Sequence, residues 1–425
     1  MPHVNTLFWT CQTQEIPIPD STFLDGKVNT YTGNSNFEIF FYIQHVSALQ
    51  CRLDCDVGYE SQRVPVITCV DGQYQDFHPS TFVCQPAAVL LLSSTGSVEV
   101  FSGDKMCNRQ FAQFPEFGGT GRAMSHIDNE IVITGGDVLG TRYTYLSILN
   151  PRRGLLAMKY AVANFPIQGS PHHHASLQSA NGLVVIGGDH KAKAKLDKFS
   201  WSSLRLRWEN ETKFSYMLSA SCSVKISRDS FLLIGGVQHQ KDSSLITNTV
   251  FKINTTSETV EEKPPMLHRR MKHSCEKHSS NSILISGGIN SSGNTVEDEV
   301  YNFITGDTLA IDGLSLLRYQ HKLVRIKEDI YAFGGLLQNG SEPKTIMRFS
   351  SGTWRPIEHQ LFSNDTSNLV ASSFPISAVD CKYVCECGVP KIGSKIFNGV
   401  EAEVMFFFMF NCELFRKTRT HGLLH

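Results

Sequence analysis

Cysteine is the residue whose spacing most clearly predicts chemistry in this chain of 425 residues. Cysteines crowd near both ends of the sequence, and short cysteine-dense segments favour disulfides formed in an oxidising compartment over the thiols of a cytosolic enzyme. These cysteines are Cys11, Cys51, Cys55, Cys69 and Cys84 at one end, and Cys381, Cys385 and Cys387 at the other.

Asn-x-Ser/Thr sequons point to the same compartment, because they are acceptors for N-linked glycans in secreted proteins. We therefore predict an extracellular, secreted glycoprotein. Residues 1–10 lack the charged start and apolar core of a signal peptide, so we expect the sequence to be a piece of a longer chain. The predicted glycosylation sites are Asn210, Asn254, Asn290, Asn339 and Asn364.

Two other groups of residues invite a chemical interpretation. The run His172-His173-His174 could bind a metal, but neighbouring residues of a strand point to opposite faces, and no Cys, Asp or Glu pattern completes a ligand set. Cys222 and Cys275 could pair only if their Cα atoms lay about 4.4–6.8 Å apart. We predict no metal and no cofactor, and we expect Cys222 and Cys275 to be free buried thiols.

The charge balance narrows the possible partners. The chain has 39 Lys and Arg residues against 40 Asp and Glu residues, a formal net charge of −1, with no basic block of the kind that binds phosphates. Its longest apolar stretch, Val404–Phe410, is far shorter than the roughly 20 residues that a spanning helix needs. We predict neither a nucleic-acid partner nor a membrane span.

The elements that must position these residues are marked by a recurring Gly-Gly pair. Each pair follows a short apolar run, such as LVVI at 183–186, which predicts a buried strand that ends at a turn where glycine takes a positive φ. Units of about 50 residues are too small to bury separate cores, so they must stack. The pairs are Gly135-Gly136, Gly187-Gly188, Gly235-Gly236, Gly287-Gly288 and Gly334-Gly335.

The spacing of residues around the pairs recurs from unit to unit and predicts four short strands per unit, as in a β-propeller blade. Upstream of four pairs stand His174, Cys222, His273 and His321, and aromatic-apolar runs follow the pairs. This order resembles the kelch repeat, and the resemblance implies an all-β fold with a kelch-type β-propeller over residues 87–378. We predict six blades, with seven as the alternative.

The first unit lacks an inner strand, whereas the segment SNLVASSF at 367–374 is left over after the last full repeat. We expect this segment to complete the first blade beside VLLLSS at 89–94. Such a return of the chain closes the ring and protects the edges of the sheets.

Residues 11–86 carry the sequences CDVGYE at 55–60 and CVDGQY at 69–74, followed by Cys84. This pattern resembles a sushi (complement control protein) domain, a small disulfide-stabilised β module. By resemblance, its bridges would join Cys11 to Cys69 and Cys55 to Cys84, with Cys51 left without an assigned partner. A binding module and a spacer held by disulfides are both compatible with the sequence.

Residues 379–425 contain CGVPKIGSKIFNGVEAE at 387–403. The segment resembles the activation region of trypsin-like serine proteases, which implies cleavage between Lys395 and Ile396 to create a new N-terminus. The following sequence offers no nucleophile loop and no further triad motif, and a lone histidine cannot replace a triad. We therefore predict that this chain is not an enzyme.

The repeat region and the two flanking segments together predict the function of the chain. Kelch propellers include copper-radical galactose oxidases, but no Tyr-Cys and histidine set of that type is recognisable here. We predict a secreted or extracellular recognition protein that uses its sushi and kelch modules to bind a protein or carbohydrate through loops on one propeller face. The alternative is the regulatory N-terminal part of a mosaic trypsin-like serine protease zymogen whose catalytic domain is missing here.

Overall fold

The computed structural model describes the backbone over part of the chain and the side chains over a smaller part of it. The backbone is described at 8–13, 27–32, 35–40, 49–54, 59–61, 66–70, 73–75, 84–103, 109–113, 119–127, 130–138, 141–142, 146–150, 157–161, 173–179, 182–188, 196–202, 205–212, 217–227, 230–240, 243–255, 257, 259–313 and 317–375. Side chains are described at 87–103, 119–126, 131–136, 173–177, 183–188, 218–227, 230–240, 243–255, 257, 259–313 and 317–374.

The described residues form strands and turns and contain no helix. The first strands are β1 (Phe8–Thr13), β2 (Lys27–Thr32), β3 (Ser35–Phe40), β4 (Leu49–Asp54), β5 (Tyr59–Ser61), β6 (Val66–Val70) and β7 (Gln73–Gln75). The next are β8 (Cys84–Leu92), β9 (Ser97–Phe101), β10 (Arg109–Gln113), β11 (Ala123–Ile127), β12 (Glu130–Thr134), β13 (Asp137–Val138), β14 (Thr141–Arg142), β15 (Leu146–Asn150), β16 (Ala157–Ala161), β17 (Ala175–Ser179), β18 (Gly182–Ile186), β19 (Leu196–Ser202) and β20 (Arg205–Thr212). The last are β21 (Met217–Ser219), β22 (Cys222–Lys225), β23 (Ser230–His239), β24 (Ser244–Asn254), β25 (Thr259–Lys263), β26 (Ser274–Lys277), β27 (Ser282–Ser286), β28 (Glu299–Asn302), β29 (Thr308–Ala310), β30 (Arg318–Tyr319), β31 (Lys322–Ile326), β32 (Asp329–Phe333), β33 (Leu336–Leu337), β34 (Thr345–Ser350), β35 (Thr353–Gln360) and β36 (Val370–Pro375).

The strands from β8 onward are organised mainly in antiparallel sheets of four strands. Their orders are β11-β12-β15-β16, β17-β18-β19-β20, β22-β23-β24-β25, β26-β27-β28-β29, β31-β32-β34-β35 and β36-β8-β9-β10. The fold is all-β, and four of these sheets lie in a β-propeller-like arrangement. We name each blade by its first strand in these orders. The blades with most of their side chains described are the β22, β26, β31 and β36 blades.

The first strands of the blades contact one another in sequence. Strand β11 contacts β17, β17 contacts β22, β22 contacts β26, β26 contacts β31, and β31 contacts β36. Strand β36 also contacts β11. These are therefore the inner strands of the arrangement.

The β36 blade joins the two ends of the propeller region. Strand β36 pairs antiparallel with β8, with Val370 opposite Leu92 and Phe374 opposite Ala88. The prediction that the segment at 367–374 pairs with the strand at 89–94 is confirmed. Strand β8 also runs through residues 86 and 87, where the sequence placed the boundary between the two modules, and it pairs with β5.

The hydrophobic core lies between neighbouring blades. Between the β26 and β31 blades, Leu284 packs with Leu323 and Met347. Between the β31 and β36 blades, Phe333 packs with Phe101, with ring centroids 5.3 Å apart. Because each sheet is covered by the next one, the alternating residues of a strand can be apolar on both faces.

The Gly-Gly pairs have the predicted conformation. All ten glycines have positive φ values, from 56° at Gly235 to 105° at Gly188. Space also requires glycine, because a Cβ on Gly287 would collide with the carbonyl oxygen of Arg318 and one on Gly288 would lie 2.7 Å from the carbonyl oxygen of Met271. Each pair is thus held between the chain segments that enter its own blade and the next blade.

One strand differs from the expectation that the apolar runs end at the pair. Strand β23 continues through Gly235-Gly236 to His239, with a register shift between Ile234 and Gly236. The strand goes on because Val237–His239 pair with β21 on one side and with β24 on the other. The result is a long hairpin that extends beyond the end of the β22 blade.

Candidate functional site

The segments that enter the inner strands meet the Gly-Gly pairs at one end of the propeller, which we call the glycine face. Backbone hydrogen bonds join these segments to the preceding blade. The amide of the second glycine donates to the next entering segment, from Gly188 to Leu218 (2.8 Å), from Gly236 to Arg270 (2.9 Å), from Gly288 to Arg318 (2.8 Å) and from Gly335 to Thr366 (2.7 Å). Backbone hydrogen bonds therefore connect the loops of the glycine face from blade to blade.

A second series of hydrogen bonds runs from blade to blade across the glycine face. The amides of His173, Ala220, Lys272 and Gln320 donate to the carbonyls of Gly121, His173, Ala220 and Lys272, at 2.7–3.0 Å. The side chain of Gln320 continues the series by donating to Asn368 Oδ1 at 3.1 Å. We call Gly121, His173, Ala220, Lys272, Gln320 and Asn368 the collar.

The collar is conformationally constrained. His173, Ala220, Lys272 and Gln320 have φ values of 51–60°, a left-handed conformation that is uncommon for residues with a side chain. Such outliers persist where the surroundings hold them, and they often occur at binding sites. The side chains of His173, Lys272, Gln320 and Asn368 are half-buried, so each retains surface that a partner can contact.

The histidines that directly follow the collar residues, one position before the inner strands, are buried. His174 Nε2 lies 2.7 Å from Thr134 Oγ1 in the preceding blade. Burial and, less strongly, the charge of Arg270 together lower the pKa of His273 to about 3. Burial and, less strongly, the charge of Arg318 also lower the pKa of His321 well below its ordinary value. His273 and His321 are therefore neutral at pH 7 and pack between blades.

Buried carboxylates anchor the entering segments. Glu299 forms a fully buried ion pair with Arg270 and accepts a hydrogen bond from the amide of Leu267 at 2.7 Å. Glu99 accepts hydrogen bonds from the amides of Phe362 and Ser363, at 2.9 and 2.6 Å. Burial raises the pKa of Glu99, and these two amides act in the opposite direction. The two carboxylates occupy equivalent places in the β26 and β36 blades and fix the loops that carry exposed side chains.

The β23–β24 hairpin continues past the Gly-Gly pair at the glycine face. His239 ties the hairpin down, because its Nε2 lies 2.7 Å from Ser219 Oγ and its Nδ1 lies 3.0 Å from Ser244 Oγ. Leu245 on the hairpin is 45% exposed and Leu267 on the adjoining linker is 51% exposed. Exposed large apolar side chains on ordered loops suit a partner contact.

Basic residues lie next to this apolar surface. The linker into the β26 blade reads HRRMKH at 268–273, and His268 and Arg269 are exposed whereas Arg270 is fully buried. Only some of these cations are thus available to a partner, since the charge of Arg270 is balanced by Glu299. We call Leu245, Leu267, His268, Arg269 and Lys272 the hairpin patch.

The predicted disulfide cysteines of the N-terminal module lie partly within the described backbone. Cys11 lies in β1, Cys69 in β6 and Cys84 in β8, whereas Cys55 lies outside the described residues. In the pairing of β1 with β4, Cys11 stands opposite Cys51, and Cys69 stands opposite Leu49 on the other side of β4. The bridges from Cys11 to Cys69 and from Cys55 to Cys84 stay predictions.

The predicted glycosylation sites fall in two strands, β20 and β24, and in loops and turns. Asn210 lies in β20, and Asn254 is half-buried at the end of β24, where its Nδ2 donates to Ser230 Oγ at 3.2 Å. Asn290 is half-buried in a turn, and Asn339 and Asn364 are exposed. The predicted cleavage site at Lys395 and Ile396, like His172, lies outside the described residues.

Two expectations about chemistry are wrong. Cys222 and Cys275 are joined by a disulfide with Cα atoms 5.8 Å apart, because they lie on adjacent inner strands whose side chains meet between the blades. His173 does not lie on a strand, since it belongs to the collar and β17 begins at Ala175.

Sequence reasoning missed the collar and the buried ion pair. Collar residues share only their place before the inner strand, and their types do not reveal a left-handed backbone. Among the described residues, no three His, Cys, Asp or Glu side chains group so as to hold a metal ion. In the same part of the chain, none of the segments is a helix with the length and hydropathy to cross a membrane.

Comparison with known proteins does not extend this description. No protein-family model matches the chain, and no curated protein matches it significantly.

Proposed function

We propose that this chain is a secreted or extracellular recognition protein that binds a protein or carbohydrate through the glycine face of a kelch-type propeller. In this proposal, residues 11–86 form a sushi-like module, and the propeller has six blades. The Gly-Gly period, the contact of β36 with both β31 and β11, and the pairing of β36 with β8 support a closed ring of six. Seven blades remain the alternative count.

The observation that carries the binding proposal is the hairpin patch. Apolar and cationic side chains are exposed there on loops that the collar, His239 and Glu299 hold in place. A preordered surface loses little conformational entropy on binding, so its exposed groups can contribute to affinity. The histidines beside the patch are buried between blades, so the exposed groups of the patch are its apolar and cationic side chains.

The binding proposal is tested with the full chain secreted from eukaryotic cells. Arrays of extracellular proteins and glycans would identify a ligand, and the variant Leu267→Asp/Arg269→Glu would then be compared with wild type. We expect at least a tenfold loss of affinity, because burying one apolar anchor and one cation typically contributes about 1.4 kcal/mol or more.

The matched control is Ile304→Asp. Ile304 is 64% exposed in the turn between β28 and β29, at the opposite end of the blade from the Gly-Gly pair. Affinity should be unchanged in this variant. Equal losses in both variants, or no ligand on either array, would contradict binding through the glycine face.

The extracellular location is supported by the sequons and by the disulfide between Cys222 and Cys275. Endoglycosidase treatment of the secreted chain should lower its mass, and peptide mapping should find glycans at the exposed Asn339 and Asn364. An unmodified chain from a glycosylating host would argue against secretion.

The second candidate, part of a protease zymogen, is favoured by the sequence from Cys387 to Glu403. Limited digestion with trypsin followed by N-terminal sequencing tests this resemblance. A new terminus beginning Ile396-Phe397-Asn398-Gly399, formed before other cuts, would support an activation site. Preferential cutting elsewhere would remove the support.

A further inference from the structure

Arg270 and Arg318 occupy equivalent positions in the β26 and β31 blades. The carbonyl of each accepts a hydrogen bond from the second glycine of the preceding blade. The Nη1 of each donates to the first glycine carbonyl of its own blade, at 2.8 Å to Gly287 and 3.2 Å to Gly334. Both side chains are fully buried.

The two arginines differ in the residue that faces the remaining donors. In the β26 blade, Ile285 stands opposite Glu299, which pairs with Arg270 Nη2. In the β31 blade, the equivalent residue opposite Ala332 is Met347, which is 1% exposed and packs in the apolar cluster between the blades. Arg270 Nε is likewise without a partner among the described residues, so the two guanidinium groups differ at Nη2, where Arg318 lacks the carboxylate that Arg270 has.

The unpaired donors of Arg318 lie on one edge of its guanidinium. Nε and Nη2 are both buried and have no hydrogen-bond partner among the described residues. These two groups form the planar fork that binds a carboxylate or another anion with two parallel hydrogen bonds. A buried donor without a partner is costly, so native structures usually satisfy such donors with an ion or water.

The surroundings of Arg318 favour an anion over another cation or a hydrophobic group. Burial is the cause that lowers the pKa of Arg318 to about 10. The charge of Arg318 acts on His321, which is 1% exposed and has neither ring nitrogen paired among the described residues. A neutral imidazole can donate one N–H to an anion beside the guanidinium.

We propose that the Nε and Nη2 edge of Arg318 binds a small inorganic anion between the β26 and β31 blades. The anion supplies the negative charge that Glu299 supplies to Arg270 in the β26 blade. It must be small, since Arg318 and His321 are almost fully buried. Chloride is the probe that matches this size, and bromide reports the same site in diffraction.

The test compares thermal unfolding of the full chain in sodium chloride and in sodium gluconate at equal ionic strength. Gluconate is too large to enter a buried site. We expect chloride to raise the unfolding temperature of wild type by about 2 °C or more, since a ligand that binds only the folded state stabilises it. Crystals soaked in bromide should show an anomalous peak within hydrogen-bonding distance of Arg318 Nε and Nη2.

Met347→Glu should abolish the chloride shift, because the new carboxylate supplies an internal counterion. Met347→Leu is the matched control and should retain the shift. If Met347→Glu fails to fold, Arg318→Met serves instead, because the β22 blade has the apolar pair Leu218 and Phe251 at the same two positions. Arg318→Met should likewise lose the shift.

Three results would overturn the proposal. The first is equal unfolding temperatures of wild type in chloride and gluconate, which would indicate that water satisfies the fork. The second is a chloride shift of wild-type size in Met347→Glu or Arg318→Met. The third is the absence of a bromide peak at Arg318.

Discussion

The segments that enter the β26 and β31 blades make equivalent backbone hydrogen bonds, and each carries a buried arginine. The two arginines differ in whether a carboxylate balances their charge. Arg270 is neutralised by Glu299, whereas Met347 occupies the position equivalent to Glu299 in the blade of Arg318. The segment entering the β26 blade also carries four of the five residues of the hairpin patch, all except Leu245. The comparison teaches that the repeated backbone fixes where loops lie, and that side chains of single blades decide what each loop can bind.

The largest effect should come from breaking the ion pair in the β26 blade. Glu299→Leu leaves Arg270 buried without its carboxylate, and removing one partner of a buried pair typically costs about 3–5 kcal/mol. Urea denaturation of the full chain would measure this loss. Glu328→Gln is the control, since Glu328 is 70% exposed in its pair with Arg325 and its loss should cost less than about 1 kcal/mol. Equal losses would show that the Arg270 pair does not hold the blade.

The interface between the β22 and β26 blades contains a disulfide, whereas the interface between the β26 and β31 blades is joined by hydrogen bonds and packing. The Cys222–Cys275 disulfide joins the β22 and β26 blades, whereas Ser274 Oγ accepts a hydrogen bond from the amide of Leu323 at 2.9 Å. Cys222→Ser/Cys275→Ser should cost about 2–4 kcal/mol in urea denaturation. Ser274→Ala should cost about 1 kcal/mol. The reverse order would contradict the structural role of the disulfide.

Substituting two glycines distinguishes the effect of backbone conformation on stability from the effect of close packing. Gly287 and Gly293 both have positive φ values, 58° and 78°, but only Gly287 is packed against the entering segment of the next blade. Gly287→Ala should therefore be less stable than Gly293→Ala by about 1–3 kcal/mol, the typical cost of overpacking. Thermal or urea unfolding of the two variants measures the difference. Similar stabilities would mean that the segment can move away without loss.

His273 contributes a pH dependence of stability whose effect at any single pH step is modest. Its pKa is about 3 in the folded chain and near 6.5 when exposed, so between these values the unfolded state binds the proton and stability falls as the pH falls. Wild type should lose about 1.4 kcal/mol per pH unit relative to His273→Gln between pH 6 and pH 4. Parallel pH profiles of the two proteins would show that His273 is protonated in the folded state.

Much of the fold could be predicted from sequence because glycine has properties that no other residue shares. Positive φ values and close approach require it at Gly287-Gly288 and at the other pairs, so the pairs mark the strands. The return of β36 to β8 was predictable as well, since one strand was missing at the start and one was left over at the end.

The site was harder to predict because it depends on contacts between distant residues. Arg270 and Glu299 are separated by an intervening hairpin, and nothing in their types indicates that they pair. Cys222 and Cys275 lie on different blades, so their pairing depends on how closely the inner strands approach. Collar residues such as His173 and Lys272 adopt a left-handed backbone that their types disfavour.

The most direct test of the proposed function is hydrogen–deuterium exchange of the full chain with and without its bound ligand. Recognition through the glycine face predicts slower exchange in residues 237–246 and 264–273 on binding, and unchanged exchange in residues 302–307 and 350–353 at the other end of the blades. Protection confined to 302–307 and 350–353 would contradict the account.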